Sequence, residues 1–146
     1  MKIIYSDRHR LHAGQREFYR GELVPCFEKP ERADFVHDAV KTRNIGPILA
    51  PKEFPVAHIE RVHEARYVRF LENAWQEWSA LGNTKDALAS VWPIRSFRTD
   101  VEPDYFIARL GMYSFDNGTP LTSGSWIAAK LGADITLTAQ QLVTGG

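Results

Sequence analysis

Six side chains, Tyr67, Phe70, Leu71, Ala74, Trp75 and Trp78, recur at the spacing of one face of an α-helix. No other segment of the chain is so strongly periodic. A stripe this wide and this aromatic predicts a helix with that face turned into a core, and Leu81-Gly82-Asn83 predicts its end. Whatever else the chain forms must cover this helix.

The remaining elements are read outward from it. Residues 2–5 are short, β-branched and aromatic, and Ser6-Asp7 closes them as a strand. Residues 7–29 show no sustained period and predict a long loop, of the kind that is usually functional. Pro30-Glu31-Arg32-Ala33-Asp34 opens a helix, with Pro in the first turn and acids near the positive end of the dipole. Its apolar face is expected at Ala33, Val36 and Val40, with Phe35 and Ala39 beside it. Residues 47–50 read as a second short strand and residues 55–62 as a short helix. Residues 83–116 carry Pro93, Pro103 and several aromatics on a weak pattern, and predict an irregular excursion. A last helix begins near Ser123-Gly124-Ser125-Trp126, its face expected at Ile127, Leu131, Ile135 and Leu142, with Gly145 as a cap. Strands separated by helices call for a parallel sheet, yet two strands do not complete one. The fold class is therefore α/β, and the chain reads as the first part of a larger domain.

Composition narrows the function classes. Eighteen basic residues balance eighteen acidic ones, so the basic excess of a nucleic-acid binder is missing, and Asp7 dilutes the short cluster Arg8-His9-Arg10. The apolar runs fall short of a membrane span, and the N-terminus turns polar too soon for a signal peptide. The single cysteine, Cys26, excludes an intrachain disulfide and suits a reducing cytoplasm as a buried or loop thiol. The five histidines lack the spacing of a zinc site, so no metal ligand is assigned.

One stretch points to a ligand. Glu17-Phe18-Tyr19-Arg20-Gly21-Glu22-Leu23-Val24-Pro25 places carboxylates and an aromatic ring around a glycine, between the first strand and the first helix. That combination suits a cationic, aliphatic ligand, through charge pairing and cation–π contact. A solvated carboxylate and a packed tyrosine is the plainer alternative.

Taken in order, several segments resemble the acetylpolyamine amidohydrolases, a branch of the histone deacetylase superfamily. The Ile3-Ile4-Tyr5-Ser6 strand leads to His9 and then to Tyr19 in the stretch above, and Pro30-Glu31-Arg32-Ala33 is similar to the start of the family's first helix. Residues 62–71, from Val62-His63-Glu64 to Phe70-Leu71, are similar to its His-Asp-x-x-Tyr-x-x-Phe-Leu stretch. Trp92-Pro93-Ile94-Arg95 falls in an insertion that separates the polyamine branch from the histone branch. Tyr113-Ser114-Phe115-Asp116 through Pro120, then Gly124-Ser125-Trp126, resemble the loop and helix that follow. The resemblance covers nearly the whole chain and rests on order and spacing rather than on any single motif.

It implies the N-terminal part of the arginase/deacetylase-type fold, a parallel sheet flanked by helices, with residues 1–146 as one portion of a single domain. It also implies hydrolysis of the acetamide of an acetylated polyamine or similar small amine. In the complete family domain a zinc ion is held by two aspartates and a histidine, with paired histidines for the protons and a tyrosine polarising the carbonyl. The chain contains no His-His pair. The expectation is a polypeptide cut short before the zinc site, binding no zinc and inactive alone.

Site residues follow from the same resemblance. Glu17 and Tyr19 correspond to the mouth of the active-site channel, and Asp116 to a loop acid facing the substrate, with an Asx turn at Asp116-Asn117-Gly118 as its alternative. Arg32 corresponds to an arginine lining an internal channel, against a helix-start arginine paired to a nearby acid. His63 corresponds to a packing histidine. Trp92, Pro93, Ile94 and Arg95, within the dimerisation-type insertion at about residues 83–116, correspond to a dimer contact that narrows the channel. The expected partners are a small acetylated amine and a second copy of the chain, in the cytoplasm, with neither nucleic acid nor membrane. A non-catalytic, self-associating interaction protein derived from the same family is the alternative. Either way the uncovered sheet edge and aromatic helix face predict an oligomeric or aggregation-prone chain.

Overall fold

A computed structural model describes residues 1–94, 96 and 98–145. Its first strand, β1 (Ile3–Ile4), leads into a 3-10 helix over Asp7–Leu11 that Ser6 caps by accepting from the Arg8 N–H. Two further strands follow, β2 (Arg16–Tyr19) and β3 (Glu22–Pro25). Then come α1 (Glu31–Thr42), β4 (Ile48–Leu49), the single turn α2 (Ala57–Glu60) and α3 (Ala65–Ala80). The chain closes with α4 (Phe106–Tyr113) and α5 (Ser125–Thr144).

β1 and β4 form a parallel pair, Ile3 opposite Ile48 and Ile4 opposite Leu49, with Ile3 N–H and Tyr5 N–H donating to the Pro47 and Leu49 carbonyls. β2 and β3 form a separate antiparallel hairpin, Tyr19 opposite Glu22. This hairpin overturns the loop expected over residues 7–29. The signal was local: Arg20 and Gly21 both adopt positive φ, 50° and 92°. That is the two-residue turn whose twist matches paired strands, and glycine enters it freely.

The core lies between α3 and α4. Phe70 and Ala74 of the expected stripe are buried with Phe106 and Leu110 of α4 and with Ala87 and Ala89. Trp78 packs on Phe106 with ring centroids 5.8 Å apart, and its indole N–H donates to the Lys85 carbonyl. α4 is a helix inside the excursion expected to be irregular. It sits where the 91–92 backbone crosses it: a Cβ on Gly111 would stand 1.7 Å from the Val91 carbonyl oxygen, so only glycine admits that approach. Ala87 and Leu121 exchange both backbone hydrogen bonds at 2.9 Å and close the excursion at its base.

α1 presents another face than expected, whereas α5 turns inward the face expected of it, with Leu131 and Thr138 buried and Ile127 alone of that face exposed. In α1, Phe35 and Val36 are 73% and 64% exposed. The helix instead docks through His37, stacked on Tyr5 at 3.9 Å, and Asp34, which accepts from the Tyr5 hydroxyl. In α5 the buried residues are Ser125, Leu131, Asp134 and Thr138. Its buried polar residues find partners on the neighbouring chain. Asp134 accepts from Phe54 N–H at 3.0 Å, and Thr138 Oγ1 accepts from Lys52 N–H at 2.9 Å. Hydrogen bonds thus add to the burial of Leu131 in seating α5. No helix among the described residues is long and apolar enough to cross a membrane.

Candidate functional site

The hairpin carries the first candidates. Glu17 and Tyr19 lie two apart on β2 and therefore share a face of the strand. Glu17 is only 8% exposed, and its carboxylate accepts from the Phe27 N–H at 3.1 Å. Tyr19 is half exposed and meets the Phe27 ring edge-on at 5.4 Å. Phe27 thus joins the two, through its amide to one and its ring to the other. The Arg20 guanidinium lies 5.1 Å from the centre of the Tyr19 ring, so the tyrosine already holds one cation. Beneath the hairpin the Cys26 thiol is buried, and burial, then Glu17 and Asp86, push its pKa up.

Asp116 arrives from the loop after α4. Its carboxylate accepts from the Gly118 N–H at 2.9 Å, which is the Asx-type turn that its sequence offered as the alternative. That turn is docked on the hairpin, because the Phe18 N–H donates to the Asn117 carbonyl at 3.3 Å. The structure therefore brings the Asp116 loop against the strand that carries Glu17 and Tyr19.

A cavity of about 470 Å³ opens beside them, lined by His9, His12, Cys26, Arg32, Val36 and Pro120 among others. Arg32 stands in its wall, exposed and ion-paired with Glu28 one helical turn before it. Both nitrogens of His9 lie against backbone carbonyls, Nδ1 at 2.9 Å from Ser6 O and Nε2 at 3.1 Å from Pro30 O. His12 Nδ1 lies 2.8 Å from Ser125 Oγ. Ser125 Oγ also accepts from Thr122 N–H and lies 3.3 Å from Thr122 Oγ1. Burial holds the His12 pKa below 6.5, with Asp86 opposing.

Asp7 and His9 set an aspartate and a histidine two residues apart in Asp7-Arg8-His9. Its geometry is a 3-10 helix whose histidine is occupied at both nitrogens. Among the described residues no group of three or more His, Cys, Asp or Glu is placed to hold a metal. The zinc implied by the resemblance finds no fitting donor set on them, and no step is derived through it.

His63 is exposed, its ring tilted against Tyr67 at 5.7 Å, a packing contact with no ligand-like partner. The excursion touches the base of the hairpin at its start, where Gln15 N–H donates to Asp86 at 2.7 Å. Trp92 and Ile94 are exposed, and Arg95 lies outside the described residues. Its later part is clamped to α3 and α4 by polar contacts: Arg109 pairs with Glu77 and Glu102, Tyr113 O–H donates to Glu102 at 2.8 Å, and Arg66 donates to the Thr99 carbonyl at 2.7 Å. Burial, then the hydrogen bond to Glu102, push the Tyr113 pKa up to about 12.

Comparison with known proteins places this arrangement. The chain is 48% identical over 146 residues to acetylpolyamine amidohydrolase 2 of Pseudomonas aeruginosa, covering all of this chain and 42% of that protein. It is 44% identical to acetylpolyamine amidohydrolase 1 of the same organism and 33% identical to the acetylpolyamine amidohydrolase of Mycoplana ramosa, at the same coverage. Over its whole length the chain is similar to acetylpolyamine amidohydrolases. It superposes on the crystal structure of acetylpolyamine aminohydrolase from Burkholderia pseudomallei with a TM-score of 0.83 and 26% identity, again over the whole chain and 42% of that protein. The fold is accordingly a portion of the deacetylase-type α/β fold, with a parallel pair and flanking helices. The chain spans less than half the length of these acetylpolyamine amidohydrolases. No family profile matches it.

Proposed function

We propose that this chain supplies the substrate rim and the self-association elements of a zinc-dependent deacetylase acting on acetylated polyamines or similar small amines. The observation that carries the reading is the junction of the hairpin with the Asp116 loop through the Phe18–Asn117 hydrogen bond. It brings the Asp116 loop against the strand that carries Tyr19 and the buried Glu17, in a chain whose whole length is similar to acetylpolyamine amidohydrolases. An ammonium tail is drawn to such a surface by charge and by the ring face, each worth about 1 kcal/mol when partly exposed.

On this reading Tyr19 and Asp116 meet the amine, while Glu17 stiffens the rim through the Phe27 amide and adds negative potential from below. Arg32 lines the adjoining cavity, which would serve as the internal channel. Trp92, Pro93 and Ile94, with Arg95, would form the contact with a second copy in the cytoplasm. The exposed Val91, Trp92 and Ile94 support that assignment. When bound in the complete domain, zinc would polarise the acetamide carbonyl and activate a water. The proposal assigns its donors to the part of the family domain that residues 1–146 do not match, and expects no hydrolysis from the chain alone.

Metal analysis and an acetate-release assay on the purified chain test the proposal. The expected outcome is no stoichiometric zinc and no hydrolysis of N-acetylputrescine. Coding sequence beyond Gly146 is expected to contain a paired-histidine segment in some frame. Tight zinc binding by residues 1–146 would overturn the assignment of the metal site elsewhere.

A further inference from the structure

We infer that the crevice between the 3-10 helix, residues 50–53 and α5 binds a small carboxylate carried on an apolar or aromatic body. No residue of the hairpin or of the Asp116 loop lines this crevice. Its ligand carries the opposite charge from the amine proposed above, so the two readings stand or fall separately.

The crevice opens where the parallel strands end. The Tyr5 N–H bond to the Leu49 carbonyl is their last rung. Beyond it Ser6 turns away to cap the 3-10 helix, and Pro51 has no N–H with which to extend the ladder. The two backbones part over α5 and leave a space of about 430 Å³, the size of a small-molecule site. Open α/β sheets take their ligands in gaps of this kind, outside the carboxyl ends of parallel strands. The floor is one face of α5, where Trp126, Ile127 and Leu131, with Ala50 and Pro51 beside them, offer an apolar bed. One wall is pinned to that helix, since Lys52 N–H and Phe54 N–H donate to Thr138 and Asp134. The fold therefore holds the gap open.

Charge selects the ligand. Arg8, Lys52 and Lys130 line the crevice against Glu53 and Asp134, which leaves one positive charge in excess. Asp134 is 4% exposed and takes Lys130 on both oxygens at 2.7 Å, so that pair cancels within the floor. Lys52 Nζ donates once, to Gln141 at 3.3 Å, and keeps two protons. Arg8 bonds Ser6 through its backbone N–H, and its guanidinium has no hydrogen-bond or ion-pair partner among the described residues. Its neighbour Arg10, by contrast, is taken by Asp34. A free guanidinium fork matches the two oxygens of one carboxylate, and one carboxylate matches the single excess charge. Glu53, exposed at the rim, repels any second negative group and so selects against dianions such as phosphomonoesters.

The test is NMR of the purified chain, reading its four tryptophan indole N–H resonances during titration with phenylacetate, phenylacetamide and acetate. Phenylacetate is expected to saturate at millimolar concentration, to move the Trp126 indole and to leave those of Trp78 and Trp92 in place. It is expected to bind about fivefold more tightly than phenylacetamide, which lacks the charge, and than acetate, which lacks the ring. Arg8→Gln, at an exposed position, is expected to abolish the margin over the amide, and Glu53→Gln to widen it about twofold. Equal binding of phenylacetate and phenylacetamide, or of phenylacetate and acetate, overturns the inference. So does binding that Arg8→Gln leaves unchanged, or no saturable binding at all. Shifts centred on Cys26 and Arg32 overturn it by placing the anion in the cavity beside α1. Tighter binding of phenyl phosphate than of phenylacetate overturns the choice of ligand, since the rim acid should oppose it.

Discussion

Where α4 meets α3 the contact is aromatic and aliphatic: Leu110 and Phe106 press into Phe70, Ala74 and Trp78. Where α5 meets the N-terminal segments the contact is polar: Ser125 holds His12, Asp134 holds Phe54 N–H and Lys130, and Thr138 holds Lys52 N–H. The first seam depends on volume and is indifferent to pH. The second depends on single atoms and on the protonation of one imidazole. The surface proposed to meet the amine hangs between them, since the hairpin follows the His12 segment and the Asp116 loop follows α4.

Changes in either seam sharpen this contrast, and the largest effect is expected at the apolar one. Leu110→Ala should lower the stability of the chain by about 4 kcal/mol, because Leu110 is the most completely buried large side chain and its loss leaves a dry cavity. Urea unfolding measures it, and a loss under about 1 kcal/mol would show that the site collapses freely. Asp134→Ala comes next, at about 3 kcal/mol, since it strands the Phe54 amide and leaves the half-buried Lys130 without its partner. Asp134→Asn should recover part of this by keeping an acceptor. If the alanine variant were no worse than a change at exposed Glu28, the second seam would not be held by polar bonds.

Gly111→Ala should cost about 2 kcal/mol by forcing the Val91 backbone off α4. Backbone amide shifts should spread through residues 89–93 and leave the hairpin unmoved. The smallest effect is the pH dependence of His12. Its pKa is depressed in the folded chain, so the unfolded chain takes up the proton first as the pH falls. The His12 contribution is complete above about pH 6.5 and is lost as the pH drops through the lower folded value, with a slope of at most about 1.4 kcal/mol per pH unit. His12→Gln should flatten that part of the stability profile between about pH 8 and pH 5. An unchanged profile would mean that the Ser125–His12 bond contributes nothing.

Much of the fold was legible in local pattern. The stripe of α3, the proline-led start of α1 and the two short parallel strands were all recoverable, because each is set by a repeat or a cap within a few residues. The hairpin was also local, but Arg20-Gly21 is a weaker turn signal than Asn-Gly, and charged flanks hid the strands. α4 was hidden for another reason: its glycine and short length lower its intrinsic preference, and its burial against α3 supplies what the sequence lacks. Of the candidate site, Glu17, Tyr19 and Asp116 were named without contacts. Their spacing in sequence could not tell that Glu17 faces a backbone amide, or that Phe27 ties it to Tyr19. Tyr67 is legible only as part of the stripe and Tyr113 only as the start of a loop that resembles the family's, and neither pattern shows which ring borders a hollow.

By itself the sequence determined the α/β class, the helix that must be covered, and the resemblance to acetylpolyamine amidohydrolases. These rest on local periodicity and on residue identity, both of which a linear chain displays. The tertiary structure decided which helix faces are buried, the polar seating of α5, and the meeting of the hairpin with the Asp116 loop. Those depend on hydrogen bonds and packing between residues far apart in the chain, whose partners no local pattern specifies.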